Sequence, residues 1–165
     1  MIVQPIVAAW SSTVIVQPIV AASPAVVPAS DGRRLYIVAA WVPRHETIVV
    51  GSLGAIAFPR GWYAYVGSAR RGRDARVARH RRAGKPLRWH ADHLFSRYPA
   101  GRAWLIDTRR SECELAASLG GEVVPRFGSS DCGCPGHLVR LPRLACLRGA
   151  LAAAAGDELT RERRQ

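Results

Sequence analysis

The stretch RGWYAYVGSARRGRDARVARHRR, residues 60–82, restricts the fold more than any other part of the chain. Trp62, Ala64 and Val66 alternate with Tyr63 and Tyr65, the two-residue period of a β-strand with different chemistry on each face. Gly67-Ser68 ends that pattern in a turn. From Asp74 to Ala83 the character is helical, with Gly84 as the stop. Arg73, Arg76 and His80 fall at i, i+3 and i+7, along one helix face, with Ala75 and Val77 nearer the opposite side.

The flanking sequence extends the pattern. RLYIVAAWV (34–42) and TIVVG (47–51) are strand-like and joined by Pro43-Arg44-His45-Glu46, which predicts a hairpin. LGAIAF leads through the turn Pro59-Arg60-Gly61 into the tyrosine strand. LRWHADHLFSRY (87–98) reads as a second helix, AWLID (103–107) as a strand, and Ser111 opens a helix to Leu119 that Gly120-Gly121 ends. FGSSDCGCPGH (127–137) is a loop, LVRL a short strand, and 143–155 a final Ala-rich helix. Strands first and helices interleaved afterwards predict a small mixed α/β domain, a mainly antiparallel sheet flanked by helices, over about residues 31–160. A chain of 165 residues suits one such domain without disulfide staples.

The two ends read differently. IVQPIVAA at 2–9 recurs at 15–22, with a proline in each copy and no basic segment before it, so it lacks the form of a secretory signal. Neither apolar run is long enough to span a bilayer, so no membrane association is expected. Residues 1–30 carry no charged side chain and are expected to form a poorly ordered extension; 161–165 form a charged tail. The cysteines at 113, 132, 134 and 146 fit free thiols or a metal in a reducing cytoplasm, not a disulfide framework.

Charge points to a partner. The net charge is +12, and residues 60–110 hold fourteen Arg or Lys against three acids. Seven arginines lie between Arg70 and Arg82 with one acid among them, so they cannot neutralise one another through i,i+4 pairs. Such a face suits a polyanion, with nucleic acid first and an acidic membrane surface second. Arg70, Arg71, Arg73, Arg79, Lys85 and Arg88 are the expected phosphate contacts, which supply affinity and not chemistry.

The chemistry enters with a family pattern. Tyr65-Val66-Gly67, then Arg76, then His80 one turn later, resembles the second half of the GIY-YIG nuclease superfamily motif. The first half is best matched by RLYIV, which makes Tyr36 the partner tyrosine, with Leu35 and Arg34 where Ile and Gly would stand. Further blocks are similar to a branch of that superfamily sometimes fused to endonuclease-III-type repair enzymes: Gly61 to Ala69, Arg76 to His80, Trp89 to Asp92, Glu112 to Ala116 and Phe127 to Leu138. The resemblance implies a metal-dependent endonuclease that hydrolyses DNA phosphodiesters, in repair or in processing of single-stranded or branched DNA. It implies one divalent cation, Mg²⁺ or Mn²⁺, held by Glu112, with Arg76 on the phosphate from the other side. A tyrosine would activate water, with Tyr36 and Tyr65 both candidates, and His80 is a second possible base.

Each residue also has a plainer reading. Ser111-Glu112-Cys113-Glu114 is a capping-box pattern that uses Glu114 at N3 and leaves Glu112 at the first helical position, where it would complement the helix dipole. Trp89-His90-x-Asp92 is either a helix start with a buried indole or a substrate contact. Ser68, His90, Asp92, Ser129, Ser130 and Asp131 make up the expected substrate loop and its supports. Cys132-x-Cys134-x-x-His137, with His90 and His93 upstream, could make a Cys₂His₂ zinc site, the less favoured cofactor; Cys113 and Cys146 read as core thiols. Two rivals to a nuclease follow: a nucleic-acid-binding module without turnover, and a zinc-stabilised interaction domain.

Overall fold

The computed structural model describes residues 32–152 and 154. The expected N-terminal extension and charged tail lie outside the described residues. In chain order the elements are β1 (Arg33–Val42), β2 (Glu46–Val49), a 3₁₀ turn (Gly51–Leu53), β3 (Ala55–Phe58), β4 (Gly61–Ser68), α1 (Arg73–His80), α2 (His90–Phe95), β5 (Arg102–Thr108), α3 (Glu112–Ala117), β6 (Glu122–Val123) and β7 (Leu138–Leu141). Residues 146–152 are helical as well. β1, β4, β5, β6 and β7 form one antiparallel sheet in the order β5-β1-β4-β7-β6. The expected mixed α/β class, with a small antiparallel sheet flanked by helices, is the one observed.

The expected hairpin between the first two strands does not form. β1 pairs with β4 on one side and β5 on the other, and β2 pairs with β3 in a separate two-stranded sheet. The reason is written in β1 itself. Leu35 to Ala40 are all buried, without the one-sided alternation of an edge hairpin. A strand covered on both faces belongs in the middle of a sheet.

The two faces hold two cores. Tyr36, Val38, Ala40 and Val42 of β1 pack with Tyr63 of β4, Val77 of α1, Leu94 and Phe95 of α2, and Ile48 and Phe58 of the small sheet. Leu35, Ile37 and Ala39 pack on the other side with Ala64 and Val66, Leu115 and Leu119, and Leu147. Tyr63 and Tyr65 thus share one face, and Ala64 and Val66 the other, as the alternation predicts. Each fully buried Leu or Phe in these clusters contributes about 1.5–3 kcal/mol over an exposed one.

The helices are shorter than the sequence suggests. α1 ends at His80 rather than Ala83, and its buried face is Arg73, Val77 and His80, so Val77 lies between the two polar residues and not opposite them. The expected helix over 87–98 is reduced to α2, because Asp92 accepts hydrogen bonds from the N–H groups of Arg88 (2.9 Å) and Trp89 (3.0 Å), which fixes the helix start there. Ser111 caps α3 as expected, with Glu114 closing the capping box on the Ser111 N–H at 2.7 Å.

Candidate functional site

Tyr36 is the centre of the site because of what it faces. It stands opposite Gly67 across the β1–β4 ladder. A Cβ at Gly67 would lie 2.5 Å from both Cζ and the hydroxyl of Tyr36, so the bare backbone of Gly67 makes room for the ring. The Tyr36 hydroxyl reaches Nε2 of His80 at 3.1 Å. His80 is fully buried, and its ring also lies against Tyr65, with centroids 5.8 Å apart, and against Phe95. The other imidazole nitrogen, Nδ1, is buried without a hydrogen-bond partner.

Arg76 and Glu112 complete the group electrostatically. Burial pushes the Tyr36 phenol up to about 12, the Arg76 guanidinium acts against that by its charge and a hydrogen bond, and the Glu112 carboxylate reinforces it. Tyr65 is driven further up, first by burial and then by Tyr36, Glu112 and Asp131, again with Arg76 opposing. Tyr36, Tyr65, Arg76, His80 and Glu112, which lie on β1, β4, α1 and α3, are therefore brought together at one end of the sheet. Glu112 is half-buried at the first position of α3.

Burial pushes the His80 imidazole down to about 4; Lys85 lowers it further, Asp92 opposes, and Arg79 and Arg76 add to the depression. Unfolded histidine titrates near 6.5 and this one near 4, so between those values the unfolded chain binds the extra proton. Stability that is fully present above pH 6.5 is expected to fall as pH drops towards 4, by about 3 kcal/mol from this residue. Denaturant melts of the parent and His80→Gln at pH 7, 6, 5 and 4 check it; parallel pH profiles for the two chains would show that His80 is not the source.

The basic residues divide into two groups. Arg73, expected at the nucleic acid, is buried: its Nη1 donates to the carbonyls of Leu35 and Ile106 at 3.2 Å and to Asp107 Oδ1 at 2.7 Å. It clamps the start of α1 to β1 and β5, and its charge is spent inside the fold. Lys85 is also buried, donating to the carbonyl of Arg82 at 2.9 Å. Arg79 holds the fully buried Asp92 with two donors, at 3.1 and 2.7 Å. Burial alone would raise the Asp92 carboxyl, but Arg79 and the two backbone N–H groups outweigh it and hold it below the usual carboxylate range. Arg70, Arg71, Arg76, Arg82 and Arg88 are exposed.

Trp89 is a part of this surface that the sequence pattern did not single out for contact with arginine. It is 41 % exposed, not the buried indole of a helix start, and the guanidinium carbons of Arg76 and Arg79 lie 5.3 and 5.0 Å from its ring centroid. The indole therefore keeps two like charges close together beside the His80 ring, whose centroid lies 6.3 Å from its own.

The loop over 127–137 covers Tyr65. Gly128 has φ 75°, and a Cβ there would meet the Tyr65 ring at 2.6 Å, while the Gly128 N–H donates to His90 Nδ1 at 3.3 Å. Ser129 is buried beneath the loop, and Ser130 and Asp131 are exposed on it. Ser68, half-buried, ends β4 opposite Leu35. Two expectations about the cysteines are corrected at the foot of this loop. Cys113 is not a core thiol; it joins Cys132, Cys134 and His137 in a cluster whose ligand atoms all lie within 4.8 Å of one another. His90 is tied to Gly128, and neither it nor His93 belongs to the group. A Cys₃His set of this kind can hold a metal ion.

The fold and its polar cluster define a mixed α/β protein with a tyrosine–histidine–arginine site at the end of an antiparallel sheet and a metal-competent thiol cluster beside it. The chain belongs to the family described as Domain of unknown function DUF123, whose model matches residues 35–158. No curated protein and no solved structure matches it. No helix among the described residues is long and apolar enough to cross a membrane.

Proposed function

We propose that this domain is a GIY-YIG-type endonuclease, hydrolysing phosphodiester bonds in DNA, with single-stranded or branched DNA in repair or processing as its setting. The observation that carries the reading is the convergence of Tyr36, Tyr65, His80, Arg76 and Glu112 from four separate elements. Nothing in packing requires an exposed arginine and a half-buried carboxylate to lie within electrostatic reach of a buried and a half-buried tyrosine.

Glu112 would hold one Mg²⁺ or Mn²⁺. A single carboxylate at a half-exposed helix start fits such an ion, which keeps most of its waters and takes few protein ligands. When bound, the ion would supply positive charge at a phosphate oxygen. Arg76 would grip the same phosphate with paired N–H donors, and Arg70, Arg71, Arg82 and Arg88 would guide the strand by charge.

Raised to about 12, Tyr36 is a phenol at neutral pH and not a standing base. With Nδ1 carrying the imidazole proton, His80 Nε2 accepts from the Tyr36 hydroxyl, which leaves the phenol oxygen one lone pair for Arg76 and one for water. As water attacks phosphorus, its proton passes to Tyr36 while the Tyr36 proton passes to His80. The bond to the leaving oxygen breaks, and that oxygen takes a proton from solvent. Histidine lowered to about 4 is neutral at pH 7, the form this transfer needs.

The test is incubation of the full chain with end-labelled single-stranded, duplex and flap oligonucleotides, with Mg²⁺, Mn²⁺ or EDTA. Metal-dependent cuts are expected, lowered about 1000-fold or more in Glu112→Gln. Intact substrates together with salt-sensitive gel shifts would replace this reading by the binding-module one.

A further inference from the structure

We infer that Cys113, Cys132, Cys134 and His137 bind one zinc ion in a closed site made of four protein ligands. The distances carry it. Zn–S near 2.3 Å and Zn–N near 2.05 Å in a tetrahedron require S–S edges of about 3.7–3.8 Å and S–N edges of about 3.5 Å. Cys113 Sγ and Cys132 Sγ each lie 3.5 Å from His137 Nε2, Cys132 and Cys134 Sγ lie 3.3 Å apart, and no pair exceeds 4.8 Å. Three sulfurs and an imidazole nitrogen thus already outline a coordination shell.

The donor set selects the ion. Thiolates with one imidazole suit zinc and leave Mg²⁺ and Mn²⁺, which take oxygen ligands, without a partner here. Four protein ligands leave no open position for water or substrate, so the site is structural. On binding, each thiol gives its proton to solvent and each thiolate forms one bond to the metal. The ligands come from two parts of the chain: Cys113 from the first turn of α3, and Cys132, Cys134 and His137 from the 127–137 loop that leads into β7. That loop has little regular structure; His137 N–H donates to Phe127 O across its base at 2.8 Å, and Arg126 N–H, just before it, donates to Pro135 O at 2.6 Å. Zinc would therefore fasten the loop that covers Tyr65 to the helix turn that presents Glu112. The site stands on its own coordination chemistry; its role in aiming Glu112 rests on the hydrolytic reading above.

The full chain, purified without a histidine tag and with reductant, is expected to carry about one zinc by elemental analysis. Cys113→Ser and Cys132→Ser should each retain less than about a tenth of that. Cobalt exchange should give tetrahedral d–d bands with thiolate-to-cobalt charge transfer. Because a variant can fail to fold, the parent chain supplies a second readout. Alkylation followed by mass spectrometry should mark Cys146 while Cys113, Cys132 and Cys134 are protected, and a strong chelator should open all three and lower Tm by about 10 °C. A reduced parent chain without zinc, without cobalt bands and with all four cysteines equally reactive overturns the inference. So does a Cys132–Cys134 disulfide in the chain as isolated from cells. Zinc without cleavage leaves this site standing and removes the nuclease reading, whereas Mg²⁺-dependent cleavage by a zinc-free chain does the reverse.

Discussion

Replacing Arg76 by alanine is expected to lower phosphodiester cleavage about 1000-fold while costing under about 1 kcal/mol of stability. The two effects separate because of where Arg76 sits. It is exposed on α1, so its removal opens no cavity, and the contacts it loses are the Trp89 face and the Tyr36 hydroxyl. A phosphate held between Arg76 and an ion on Glu112 would lose the guanidinium fork that grips it beside the tyrosines. Arg76→Lys keeps the charge and should recover a minor part of the rate, since an ammonium cannot give two parallel donors to one phosphate. Single-turnover cleavage beside urea melts measures both. A rate unchanged by Arg76→Ala would remove this arginine from the chemistry and leave it as part of the basic surface.

Gly67→Ala is expected to destabilise the fold by about 3 kcal/mol and to lower cleavage by at least about 100-fold. The added methyl would sit 2.5 Å from Cζ and the hydroxyl of Tyr36, and both partners are buried on adjacent inner strands near their ends. Relief requires the Tyr36 ring to turn, which separates its hydroxyl from His80 Nε2. The substitution strikes through this one ring, so it should couple to Tyr36. In Gly67→Ala with Tyr36→Leu, the stability losses should add to less than their sum by about 1 kcal/mol or more, with cleavage still absent. Additive losses would mean that the backbone at Gly67, and not the ring, needs the glycine.

The sequence was informative where period and chemistry are local. The alternation in WYAYVG placed the tyrosines on one face, and the Ser111–Glu114 pattern gave the α3 cap. It misled where the answer depended on a partner far along the chain. Arg73 looked like one more phosphate contact, because Asp107 on β5 and the carbonyls of Leu35 and Ile106 come to it only in the folded sheet. Cys113 looked like a core thiol because the C-x-C-x-x-H spacing advertises three ligands and the fourth is nineteen residues upstream on a helix. The false hairpin had a visible warning: YIVAA has no polar alternation, so β1 was a poor candidate for a strand with an open edge.

The position of β1 has a consequence for how the chain is made. It emerges before both its neighbours in the sheet, which begin with Gly61 and, for the other edge, run to Thr108. During synthesis the segment Leu35–Val42 therefore has neither neighbour until the chain has grown past Gly61–Ser68, and it keeps one open edge until β5 ends at Thr108, an interval of several seconds at least. Pairings this far apart in sequence form slowly. An apolar β-forming segment waiting in that state is a template for the same segment of another nascent chain. Arg33 and Arg34 before it and Arg44 after it carry like charges that repel such a copy. Part of the basic character of this domain is thus placed where it would act as a gatekeeper during synthesis, apart from any polyanion the finished protein would meet.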